Sequence, residues 1–216
     1  MIRPPTVFTA LAVLMTILMT ISVPAGAHHV GAYVARDNDV SANFKQIKFS
    51  MQVGKFDVAR RLYETGALRK DLRAQASKLP IGLDDAIGAA LTAGKADAAE
   101  TGLMVFFAAL ARDLALEADR RLADMQALPA ARVAGGAKIL EAIWRYYNLV
   151  DFAVSQRDPK AATAVRLAFD EAEGYAKAQT PAPERMRAPL TQIARVLTGV
   201  IEASAPPARN AGGVCV

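Results

Sequence analysis

The chain has few of the residues that most often carry chemistry. Its 216 residues include one cysteine and two histidines, and aromatic residues make up only 6%. A single cysteine excludes an internal disulfide and a Cys-x-x-Cys-His site for covalent haem. The two histidines, His28 and His29, are adjacent and lie near the N-terminus, so no Ser/His or Cys/His pair within the helices is available for nucleophilic catalysis. A glycine-rich phosphate-binding loop is also absent.

The first 27 residues have the pattern of a secretory signal peptide. Arg3 supplies a positive charge, and the apolar run 7–23 contains no charged residue. Pro24 ends this run, and Ala25-Gly26-Ala27 provides the small residues that a signal peptidase recognises. We therefore predict export to the periplasm or secretion, with His28 as the new amino terminus. An uncleaved membrane anchor is the alternative, because 17 apolar residues lie at the short limit for a membrane-spanning helix.

The rest of the chain predicts an all-α fold. Apolar residues recur every three or four positions, and no run alternates in the manner of a strand. We expect an irregular N-terminal arm over 28–40, a helical domain over 41–204 and a flexible tail over 205–216. Ser41 is the expected N-cap of the first helix. Proline and glycine predict a linker over 129–136.

A short sequence echo predicts how the helices are joined. Gly54-Lys55-Phe56-Asp57 is repeated in outline as Gly94-Lys95-Ala96-Asp97. Glycine can end the first helix of a hairpin, and aspartate can cap the second. These signals favour a compact bundle of helical hairpins with about six to seven helices. A short tetratricopeptide-like solenoid is the second choice, because only two copies are visible and they are 40 residues apart.

The adjacent histidines suggest a metal site. A free amino group on His28, its imidazole and the imidazole of His29 form a nitrogen-rich set that copper(II) prefers. This start resembles that of proteins with a copper histidine brace, a resemblance that implies copper binding, although the further histidine of a brace is absent here. Asp37, Asp39 or Tyr33 can complete such a site. A periplasmic handler of copper or iron is therefore one functional hypothesis.

A second resemblance points to metal uptake. The segment 94–100 and the long helix that it opens are similar to helical periplasmic regions attached to bacterial iron permeases. This resemblance implies an accessory role in metal uptake. The acid-bearing metal motif of those permeases is absent from this chain.

Surface residues suggest a binding role instead. Trp144 and Tyr147 share one helical stripe and are expected in the core, whereas Tyr146 points about 100° away and is a candidate for partner or ligand contact. The basic residues Arg69, Lys70 and Arg73 are a second candidate, able to attract an acidic partner.

Three functional hypotheses follow. The first is an exported, non-enzymatic module that binds a partner protein, itself exported or membrane-bound, or a small ligand. The second is the metal handler, and the third is an enzyme with an inward cluster of acids or tyrosines. Nucleic acid is not expected as a partner of an exported protein, and Cys215 offers a possible disulfide-linked dimer.

Overall fold

Eight α-helices make up the part of the chain that the structure, a computed structural model, describes, which is residues 37–206. All of these residues belong to one compact unit. A single 3₁₀ turn, Ala76–Lys78, follows the third helix, and no strand occurs between residues 37 and 206. The helices are α1 Asp39–Gln52, α2 Phe56–Thr65, α3 Ala67–Ala74, α4 Leu83–Thr92, α5 Ala96–Leu122, α6 Pro129–Arg157, α7 Pro159–Ala176 and α8 Pro183–Ser204.

The four longest helices form a four-helix bundle. Each of α5, α6, α7 and α8 packs mainly on two of the other three, and short connections reverse the chain between consecutive helices. Asp158 joins α6 to α7, and its carboxylate accepts the Ala161 N–H at 2.9 Å, which makes it the N-cap of α7 before Pro159. The compact bundle is confirmed as the fold, with eight helices rather than six or seven.

The long helix α5 lies at the centre of the molecule. Residues 102–111 are all buried, on every side of the helix, because the bundle covers one side and the shorter helices cover the other. A Cβ on Gly102 would lie 2.5 Å from Ile87 Cγ1, so glycine allows α4 and α5 to approach closely. Trp144 and Tyr147 are buried as predicted, with 8% and 0% of their surfaces exposed.

The glycine turns are confirmed, but the expected aspartate caps are wrong. Gly54 and Gly94 have φ of 75° and 67°, the left-handed conformation that ends a helix at little cost for glycine. The next residues, Lys55 and Lys95, precede the new helices and make no side-chain cap hydrogen bond. The two aspartates lie inside the first turn, where a negative charge complements the helix dipole.

Two other boundaries differ from the prediction. The N-cap of α1 is Asn38, not Ser41; Ser41 is the third residue of the helix and completes a capping box with Asn38. The expected linker 129–136 is helical, because Pro129 suits the first position of a helix. Gly136 there packs against Leu122 and Met186, whose side chains would be only 3.1 and 3.2 Å from an added Cβ.

Candidate functional site

A groove of about 580 Å³ runs along the second half of α5. We call it the Tyr146 groove. Its residues come from α3, the 3₁₀ turn, α5 and α6: Asp71, Gln75, Lys78, Leu110, Asp113, Leu114, Leu116, Glu117, Arg120 and Tyr146. The groove therefore combines three leucines with six charged or polar side chains, which we call its rim.

The packing of α3 explains why the groove is open. The helix α3 packs mainly on α1 and α2 rather than on α5. Asn43, a buried residue of α1, fixes this position: its side-chain amide donates to the Leu62 carbonyl at 3.1 Å, and its oxygen accepts the Leu68 N–H at 3.0 Å. Beyond Ala111, one side of α5 therefore stays partly uncovered, and Leu116 is 52% exposed.

Tyr146 lies at one end of the groove and is half-buried. Its hydroxyl oxygen accepts a hydrogen bond from Asn38 Nδ2 at 3.0 Å, and its ring centroid lies 5.9 Å from that of Phe107. The same Asn38 caps α1 by accepting the Ser41 N–H at 2.9 Å. A tyrosine hydroxyl is both donor and acceptor, so Tyr146 can accept from Asn38 and still donate its proton to a bound group.

The rim charges differ in how far the protein already neutralises them. Arg120 and Arg121 both bind Glu117, and their hydrogen bonds lower the pKa of Glu117 to about 2. Asp113 pairs with Arg112 at 2.8 Å. Lys78, by contrast, has no ion-pair partner among residues 37–206 and can offer its ammonium group to a ligand.

The predicted basic cluster is largely engaged within the protein. Arg69 and Arg73 bind the two oxygens of Asp84 at 2.7 and 2.8 Å, and Tyr63 donates to the same carboxylate at 2.7 Å. Burial by itself raises the pKa of Asp84, but the hydrogen bonds from Arg69, Arg73 and Tyr63 outweigh it, and the net shift is downward. Lys70 is exposed. The structure therefore does not bring the three basic residues together as one free surface.

Of the two predicted metal ligands within the described part, Asp37 is engaged by other side chains, whereas Asp39 is exposed. Both oxygens of Asp37 bind Lys45 Nζ at 2.8 Å, and this hydrogen bond is the main cause of a lowered Asp37 pKa. Asp39 lies in the first turn of α1. Residues 37–206 contain no group of three or more metal-ligating side chains that could hold an ion. His28, His29 and Tyr33 lie outside the described residues, as does Cys215, so copper binding and the disulfide-linked dimer stay predictions.

The groove itself was not predicted from the sequence, although one of its residues was. The spacing of Leu110 and Leu114 fits one apolar stripe of a helix, and only Leu110 is buried. The sequence signal that could have indicated the groove is Leu116, an apolar residue that lies outside this stripe, between Asp113 and Glu117 along the chain.

Among the described residues, no helix is both long and apolar enough to cross a membrane. Comparison with protein-family models, with curated proteins and with solved structures finds no match to this chain.

Proposed function

We propose that this protein is a non-enzymatic binding module that holds a small amphipathic ligand in the Tyr146 groove. The observation that carries the proposal is the position of Tyr146, the aromatic residue singled out from the sequence, in a groove of about 580 Å³. Small-molecule sites typically measure about 300–1,000 Å³ and combine an apolar lining with a few polar groups. A flat exposed patch around Tyr146 would have favoured a protein partner instead.

The lining indicates the chemistry of the ligand. An apolar body packs on Leu110, Leu114 and Leu116, and a hydrogen-bond acceptor or anionic group faces the Tyr146 hydroxyl and the Lys78 ammonium. Glu117 is held by two arginines and contributes little free charge to this site. An apolar molecule with one carboxylate or sulfonate group fits these requirements.

A fluorescent probe with this chemistry tests the proposal. Anilinonaphthalene sulfonate has an apolar ring system and one sulfonate, and its emission rises on binding. Replacing Leu116 with glutamate places a charge in the lining of the groove, and Leu167→Glu is the matched control because Leu167 is similarly exposed, on α7. Loss of one apolar side-chain contact is expected to weaken binding about tenfold, equivalent to about 1.4 kcal/mol. Equal affinities of the two variants would overturn the proposal.

Export and copper binding are two separate properties that one sample of the protein can test. We propose export, supported by the signal-peptide pattern of residues 1–27. A native mass spectrum of untagged protein recovered from the periplasm tests it: the expected mass begins at His28. Copper addition to the same sample tests the alternative metal function, for which a double His28→Ala, His29→Ala variant should lose one bound ion. Retention of that ion by the variant would contradict the histidine site.

A further inference from the structure

The chain reaches α1 directly beside the Tyr146 groove. Asn38, the N-cap of α1, donates its side-chain amide to the hydroxyl of Tyr146, which lines the groove. Asp37 is fixed beside it by Lys45 and by the Ser41 hydroxyl. The residues that immediately precede Asp37 are therefore attached to the protein at one end of the groove.

The length of the preceding segment matches the groove. The groove follows α5 from Leu110 to Arg120, which corresponds to about 15 Å at 1.5 Å per residue. The six residues 31–36 can span about 20 Å when extended. A segment anchored at Asn38 thus has the reach to cover the whole groove, without any contribution from residues before Gly31.

The composition of this segment also matches the groove. Its sequence is Gly-Ala-Tyr-Val-Ala-Arg, with an aromatic and a branched apolar residue, Tyr33 and Val34, and no acid. These side chains suit the three leucines that line the groove. Arg36 carries the only charge of the segment, and Asp71 is the rim carboxylate that has no ion-pair partner among residues 37–206.

From the anchor, the reach and the composition, we propose that residues 31–36 occupy the Tyr146 groove of their own chain. The segment is then an internal occupant that an external ligand must displace. This second statement rests on the proposed function, whereas occupancy of the groove does not. An occupant tethered at Asn38 has a high effective concentration at the groove, so a modest intrinsic affinity is sufficient for high occupancy.

Paramagnetic broadening in the full-length mature chain tests the occupancy. With Cys215 replaced by serine, a spin label is attached to a cysteine at position 116 in the groove or at position 167 on α7, two exposed leucines. The label in place of Leu116 is expected to reduce the amide signals of residues 31–36 to less than half. The label in place of Leu167 is expected to leave them unchanged. Equal signals with the two labels would overturn the proposal.

Two further measurements separate the possible outcomes. A mixture of spin-labelled chains without ¹⁵N and ¹⁵N-enriched chains without the spin label reports only contacts between molecules. Broadening of the signals of residues 31–36 in this mixture would assign the groove to a second copy and overturn the internal contact.

A Tyr33→Ser, Val34→Ser double variant should bind anilinonaphthalene sulfonate more tightly, about tenfold if the segment occupies the groove nine-tenths of the time. Internal broadening without any probe binding would refute the proposed function alone. Probe binding with no broadening would refute the internal occupant alone.

Discussion

Asn43 should contribute more to stability than any exposed asparagine, because it replaces two backbone hydrogen bonds at the break between α2 and α3. Its amide satisfies the Leu62 carbonyl and its oxygen satisfies the buried Leu68 N–H. Asn43→Ala leaves both groups without a partner. Each unsatisfied buried group costs about 1–3 kcal/mol, so we expect a loss of about 2–4 kcal/mol in the free energy of unfolding.

Urea unfolding followed by circular dichroism measures this loss. Asn148→Ala is the matched control: it removes the same side chain from an exposed position in the interior of α6. Alanine is the better helix former, so the control should gain a few tenths of a kcal/mol. If Asn43→Ala costs less than about 0.5 kcal/mol, the side chain does not hold the break between α2 and α3, and the explanation for the open groove fails with it.

The neighbouring Gly66 gives a second route to the same contact. A Cβ on Gly66 would overlap the Asn43 side-chain oxygen and the Leu62 carbonyl oxygen. The φ of Gly66 is −83°, so the requirement for glycine comes from close packing and not from backbone strain. Gly66→Ala should therefore be destabilising, and Asn43→Ala should relieve only the part of the cost that comes from the side chain.

Three other outcomes are expected. Hydrogen bonds lower the folded-state pKa of Asp84 below 3.8, so the stabilisation by the Asp84 carboxylate is complete above that pH and is lost as the pH falls through the folded-state pKa. The stability difference between wild type and Asp84→Asn, measured by urea unfolding, should therefore shrink below pH 4. A difference that does not change with pH would contradict this. Gly102→Ala should lower the melting temperature, and Ile87→Ala should restore part of the loss, because Ile87 is the obstructing side chain; purely additive effects would count against the contact. Arg132→Met should cost about 1–3 kcal/mol, because it leaves the last carbonyl of α5, which the buried guanidinium binds at 2.6 Å, without a partner; a loss no larger than that of an exposed arginine would refute this role.

Local signals in the sequence were sufficient for the helices and for part of the core. Periodicity predicted the all-α fold and separated the buried Trp144 and Tyr147 from Tyr146, because neighbouring residues on a helix differ by about 100°. Proline and glycine were less reliable. Pro129 begins a helix and Gly136 lies inside it, because a bundle interface can require a missing side chain as strongly as a turn does.

The arrangement of charges could not be predicted because it depends on contacts between helices. Arg69 and Arg73 looked like a free basic surface, yet both bind Asp84, which is 15 and 11 residues away. Asp84 lies in the first turn of α4, where a negative charge complements the helix dipole, but no local signal orients α3 over it. Helix periodicity fixes which side chains share a face, whereas the partner of that face depends on tertiary packing.

One end of the groove is held by a hydrogen bond between residues that are far apart in the sequence. Asn38 and Tyr146 are 108 residues apart, and no pattern in the sequence connects them. Asn38 uses its oxygen to cap α1 and its amide to hold Tyr146, so the start of the first helix and one end of the groove share a single side chain. A ligand that takes the Tyr146 hydroxyl as a partner therefore acts on the residue that fixes the beginning of α1. A ligand that competes with Asn38 for this hydroxyl is therefore expected to loosen the cap of α1.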